Sequence, residues 1–162
     1  MAPRAFLLPP TQSLCKAFST SAPLETLLST FTTCPPPQIH EHGLPCLAPF
    51  LGRTFTGRDG VTEYVTLLNE SLGIEKMEFD DVGEWVVDTE SMVVCLRGGA
   101  KFVAKRSGER WDERFMYRIS VAEEQGGNSK GVLKVREYEV WADTGAAYLA
   151  MRGELERGLG RE

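Results

Sequence analysis

Apolar positions in this chain follow two regimes, helical spacing up to Gly73 and alternation after it. Leu24, Leu27, Leu28 and Phe31 recur at helical spacing behind Ser21-Ala22-Pro23, a Ser cap with proline in the first turn. Cys34-Pro35-Pro36-Pro37 stops that helix, because a proline nitrogen has no hydrogen to donate. Val61, Tyr64, Val65, Leu68 and Leu72 recur at i, i+3, i+4, i+7 and i+11, a second amphipathic helix opened by 56–60 and closed by Gly73 as its C-cap residue. Between the two helices, 38–55 has the prolines, glycines and apolar content of a long connection that packs as a lid or wall.

After Gly73 the period drops to two. Residues 74–79, 85–87 and 92–96 predict strands, the last resuming past Gly98-Gly99 with Ala100, Phe102 and Ala104 inward. The paired glycines predict a bulge or sharp bend. Residues 106–109 form a hairpin turn into the most regular stretch of the chain, 110–121. There Trp111, Glu113, Phe115, Tyr117, Ile119 and Val121 take one face, and Arg110, Asp112, Arg114, Met116, Arg118 and Ser120 the other. Residues 132–143 are the last strand and 144–156 a closing helix. Helices first, strands afterwards and a short helix at the end predict an α+β fold, N-terminal helices packed in a strongly curved antiparallel sheet, a cone-shaped α+β barrel. The expected organisation is a partly disordered tail over 1–20, one domain over 21–156 and a disordered tail over 157–162. Pro3, Pro9 and Pro10 are expected to interrupt any helix in the first segment.

Composition narrows the function classes. The chain has 162 residues, 42 % hydrophobic and 25 % charged, enough for one domain with its own core. The net charge is -5, with basic residues scattered among acids, so no nucleic-acid partner is expected. No apolar run is long enough to span a bilayer, and no membrane partner is expected. Cys15, Cys34, Cys46 and Cys95 have neither metal-pair nor disulfide-framework spacing and are read as reduced thiols. A cytoplasmic protein is expected. Arg4, Lys16 and the lack of acids before Glu25 give the N-terminus a weak likeness to a mitochondrial presequence.

Glu113 is the sharpest candidate for chemistry. A carboxyl between Trp111 and Phe115 has its pKa raised by burial, which suits a general acid or base near neutral pH. Tyr117 shares its face, about 13 Å away by strand rise, so the two would flank a ligand several rings wide. The alternative is an ion pair with an inward arginine, Arg97 or Arg136. His40 and His42, the only histidines, are read at the pocket mouth as catalytic candidates, with loop packing as the alternative. Two histidines with Cys46 nearby fall short of a metal site, and neither metal nor cofactor is expected. Phe102, Trp85, Tyr64, Trp111 and Phe115 are read as pocket lining or core. Trp141 and Glu139 join them as pocket-lining candidates, although alternation leaves open which face of the last strand looks inward. Asp143 is read as the N-cap of the closing helix.

Four stretches carry a family resemblance: 40–43 (HEHG), 47–57 (LAPFLGRTFTG), 111–117 (WDERFMY) and 138–143 (YEVWAD). They are similar to small fungal proteins of the SnoaL-like family, within the nuclear-transport-factor-2-like superfamily, and the resemblance spans roughly residues 21–150. It implies a curved sheet wrapped on helices around an apolar pocket, and homodimers through the outer sheet face. It also implies activities such as cofactor-free isomerisation, cyclisation or dehydration of a hydrophobic polyketide- or terpenoid-like carbonyl compound. A non-catalytic ligand-binding or dimerising module is the alternative.

Overall fold

The computed structural model describes residues 3–161. Its elements run α1 (Arg4–Ser19), α2 (Leu24–Ser29), β1 (Gln38–Glu41), β2 (Thr54–Thr56), α3 (Gly57–Ser71), β3 (Leu72–Phe79), β4 (Val86–Asp88), β5 (Val93–Ala104), β6 (Arg110–Glu123), β7 (Leu133–Trp141), α4 (Thr144–Arg152) and α5 (Leu155–Gly158). This is the expected α+β order. The seven strands form one curled sheet in the order β2-β1-β7-β6-β5-β3, with β4 on the end of β5. The sheet is not closed, and it is not wholly antiparallel: β1 runs parallel to β7, with Glu41 opposite Val140. The segment expected to be one long connection therefore supplies two short strands that extend the sheet beyond β7.

The first helix corrects the proline argument. Pro9 and Pro10 lie inside α1, where an interior proline costs about 3 kcal/mol. Leu7 and Leu14 are fully buried and Phe18 nearly so, and each such side chain contributes about 1.5–3 kcal/mol on burial. The helix is also pinned at its start, where the Arg4 guanidinium donates to the Val82 and Trp85 carbonyls at 2.8 and 3.2 Å. Residues 4–19 are thus an integral layer of the core. At the other end α5 continues to Gly158, two residues into the expected tail, anchored by buried Leu155.

The second helix begins after Pro23 without a side-chain cap, so Ser21 does not cap it. Leu27, Leu28 and Phe31 are buried as the spacing predicts. α3 buries Val61, Tyr64 and Val65 but ends directly in a strand: Leu72 is already extended and Gly73 pairs with Val103. Gly73 is a strand residue rather than a C-cap. The β5–β6 register runs unbroken through Gly98 and Gly99, opposite Phe115 and Arg114. The irregularities fall elsewhere, between Ile74 and Lys76 and between Ser120 and Val121. Gly98 serves close approach instead, because a Cβ there would lie 2.4 Å from Cε2 of the Phe115 ring.

Alternation on β6 is as read: Trp111, Glu113, Phe115, Tyr117, Ile119 and Val121 are buried, while Met116 stands exposed on the outer face. β7 resolves the open question, with Tyr138 and Val140 buried and Trp141 outward. All four cysteines are free thiols. No described helix is long and apolar enough to cross a membrane.

Candidate active site

The concave face of the sheet, α3, α4 and the loop before β2 enclose an apolar cavity. Phe18, Phe50, Leu51, Met77, Phe102 and Phe115 supply much of its wall. The cavity volume is about 40 Å³, room for a few waters. A ligand several rings wide does not fit without movement of the wall.

Glu113 opens onto this cavity. It follows Trp111 by two residues on β6, and the alternation that buries the indole buries the carboxyl. Trp111 Nε1 donates to Glu113 Oε2 at 2.7 Å. Burial pushes the Glu113 pKa up to about 7, and the Asp143 charge adds to the rise, against hydrogen bonds from the Trp111 indole and the Asp143 backbone. No arginine neutralises it. Arg97 and Arg114 reach Asp80 at 2.8 and 3.2 Å, and Arg136 lies 3.7 Å from Glu137. The ion pair weighed from the sequence is absent among the described residues.

A second carboxyl, one that sequence reasoning missed, opens onto the same cavity. Glu41 is 7 % exposed, and its Oε2 accepts a 2.7 Å hydrogen bond from the Tyr64 hydroxyl. Burial raises its pKa to about 7, the Tyr64 hydrogen bond opposes the rise, and the Glu113 charge adds to it. The signal was present in the sequence: Ile39 and Glu41 share one face of a period-two stretch, so burying Ile39 buries Glu41. Asp143 is a third carboxyl at the cavity wall and, as read, caps α4, accepting from the Ala146 amide at 3.0 Å.

The same alternation puts both histidines outside, a correction to their placement at the pocket mouth. His42 stacks on Trp141 with ring centres 4.1 Å apart and lies 3.2 Å from Glu139. His40 contacts Thr54 Oγ1 at 3.0 Å. Glu139 also pairs with Arg118 at 2.9 Å. His40, His42 and Glu139 therefore line an outer groove, and Trp141 stands beside it; none of the four lines the cavity. Trp85 lines a different surface groove under α1, its indole bonded to the Asp80 carbonyl at 2.8 Å. Trp111 stands behind the wall, touching the cavity through Glu113. Tyr64, Phe102, Phe115 and Tyr117 do line it. Tyr117 is fully enclosed; burial pushes its pKa well above the ordinary phenol value, so it stays protonated. The described residues contain no cluster of three or more metal-ligating side chains.

Solved structures share this arrangement of helices in a curled sheet. An NTF2-like protein from Burkholderia xenovorans matches over 91 % of this chain and 96 % of its own, with TM-score 0.65 and 16 % identity. The chain has the NTF2-like fold. A ketosteroid isomerase-like protein from Erwinia carotovora matches this NTF2-like chain over 86 % of its length and 95 % of its own, with TM-score 0.59 and 15 % identity. PrhC from Penicillium brasilianum covers 98 % of it and 93 % of its own chain, with TM-score 0.65 and 14 % identity. No protein family and no curated protein matches the chain by sequence. The fold resemblance drawn from the sequence is borne out, and the NTF2-like fold is one that isomerase-like proteins also use.

Proposed function

We propose that this protein catalyses cofactor-free proton transfer on a small hydrophobic carbonyl compound. The observation that carries this reading is the pair of buried carboxyls, Glu41 and Glu113, opening onto one apolar cavity without a basic partner. Each has a pKa near 7, so near neutral pH the pair holds about one proton. Glu41 is the more enclosed and feels the charge of Glu113, so it keeps the proton and Glu113 is the base. Glu113 takes a proton from the carbon next to the substrate carbonyl. The electron pair moves onto the carbonyl oxygen, which the Glu41 carboxyl and the Tyr117 phenol stabilise by hydrogen bonds. Return of the proton to the γ-carbon of a β,γ-unsaturated ketone completes an isomerisation. The isomerase-like neighbour of the same fold supports the reaction class.

The test is conversion of cyclohex-3-en-1-one to its conjugated isomer, followed by absorbance. Glu113→Gln is expected to lower kcat by about 10²–10⁴-fold, the usual contribution of a positioned base. An unchanged rate would remove Glu113 from the mechanism.

The tight cavity favours a second reading, a non-catalytic module that pairs with a second copy through its outer sheet face. That face carries exposed Met116 in register with Arg97 and Trp141.

A further inference from the structure

On the side of β3 the cavity ends at a wall one side chain thick. Met77 lines the cavity, and it also lines the surface groove under α1 that holds Trp85. Two residues on, Phe79 lines the groove but not the cavity. Its ring centre lies 5.9 and 5.6 Å from those of Phe115 and Tyr117, which line the cavity behind it. The partition is therefore two rings deep at Phe79 and a single side chain at Met77.

The strand accounts for this placement. Leu72 and Ile74 face the cavity, and unbroken alternation would next turn Lys76 and Glu78 inward. The irregularity between Ile74 and Lys76 shifts the phase by one residue, so Met77 is buried while Lys76 and Glu78 stay exposed. β3 is the last strand of the sheet order and pairs only with β5. Methionine is unbranched with three rotatable bonds, so it changes rotamer readily where space receives it. The groove supplies that space, with about 460 Å³ against about 40 Å³ in the cavity. Its floor beyond Met77 is Phe79, Val82 and Trp85, and exposed Gln12 and Lys16 stand on its α1 side. Trp85 is a fixed platform there, because its indole N–H is held by the Asp80 carbonyl.

We propose that Met77 is a movable partition which, swung aside, joins the cavity and the α1 groove into one elongated site. The ligand it fits has a carbonyl end at Glu113 and an apolar far end lying on Phe79 and Trp85. This rests on the proposed reading of the cavity as a site for carbonyl compounds, and it supplies room that the closed cavity lacks. The Met77 side chain then packs against the ligand instead of dividing the two chambers.

The experiment is calorimetry on the whole protein with cyclohexanone and 4-phenylcyclohexanone. The phenyl ketone is expected to bind about ten-fold or more tighter, the scale of burying one aromatic ring. Met77→Ile keeps an apolar side chain of similar size but is stiff at χ1, and Ile suits a strand. Gln12→Trp fills the groove from an exposed position on α1. Both variants are expected to lose the phenyl advantage and to leave cyclohexanone binding unchanged. Ser13→Trp adds the same bulk at an exposed α1 position outside the groove and is expected to keep the advantage. Equal affinities for the two ketones in the wild-type protein overturn the proposal, as does the absence of binding by the phenyl ketone. A phenyl advantage that survives Met77→Ile or Gln12→Trp overturns it as well. Should Met77→Ile not fold, the comparison of Gln12→Trp with Ser13→Trp decides. Both ketones are saturated and cannot isomerise, so their binding reads the joined site alone, while enone turnover in Glu113→Gln reads the chemistry alone.

Discussion

Trp111 donates its indole N–H to Glu113 across 2.7 Å, from two positions back on the same face of β6. That bond favours the ionised carboxyl and so opposes the rise that burial imposes. In Trp111→Phe the opposition is gone. The Glu113 pKa is expected to move further up, by on the order of one unit if the hydrogen bond is worth about 1 kcal/mol. Carbon-13 NMR titration of the Glu113 carboxyl reads the shift directly. The acid limb of the kcat/KM profile should move to higher pH with it; an unmoved titration would mean that the indole only fills space.

Burying two acids also makes folding stability depend on pH in an unusual direction. Glu41 and Glu113 have folded pKa values near 7, above the unfolded value of about 4.3. The folded state therefore binds more protons between those limits, and their contribution to stability falls as pH rises from about 4.5 to 7 and then levels off. Urea unfolding at a series of pH values is expected to show this decline. Glu41→Gln and Glu113→Gln should each flatten it.

Gly98 is expected to tolerate no side chain. A Cβ would meet the Phe115 ring at 2.4 and 2.6 Å and the Glu78 carbonyl at 3.0 Å. Gly98→Ala should destabilise by about 1–3 kcal/mol, the usual cost of overpacking, measured by chemical denaturation. Phe115→Leu in the same chain should recover part of that loss, since residues in contact couple.

The outer face makes its own prediction. If two copies pair there, Met116→Asp places a charge beside Trp141 at the centre of the patch. Sedimentation should then show a dimer for the wild-type chain and a monomer for the variant. A monomeric wild-type chain at micromolar concentration would exclude pairing through this face.

Much of the fold was legible because long alternation is hard to misread. The period-two run over 110–121 gave β6 its inner and outer faces residue by residue. α3 followed equally from spacing, whereas the single closing helix expected over 144–156 is broken at Gly153, whose left-handed backbone ends α4 before α5 begins. The losses have specific physical causes. Proline propensity argued against α1, but propensity is local, and α1 packs on distant strands, with Phe18 against Tyr117 and Tyr138. β1 and β2 are only four and three residues long, too short for periodicity to declare itself. In the site, Glu113 stood out because its neighbours on β6 are aromatic. Glu41 was hidden between two histidines whose chemistry drew attention to the wrong face. Trp141 and Glu139 could not be assigned from alternation alone, because both faces of β7 mix apolar and charged residues.

Through β1 and the residue after it, Ile39-His40-Glu41-His42 threads the boundary between interior and surface, one residue at a time. A one-residue slip of this strand against β7 would exchange its faces, turning Glu41 out and a histidine in. The cavity would still titrate near neutral pH, but it would gain a group that becomes positive on protonation in place of one that becomes neutral. The parallel pairing of four residues with β7 thus fixes the charge type of the chamber as well as the geometry of the sheet. An insertion or deletion between Pro37 and Gly43 is therefore a route by which this architecture could exchange an acidic lining group for a basic one without altering a single side chain.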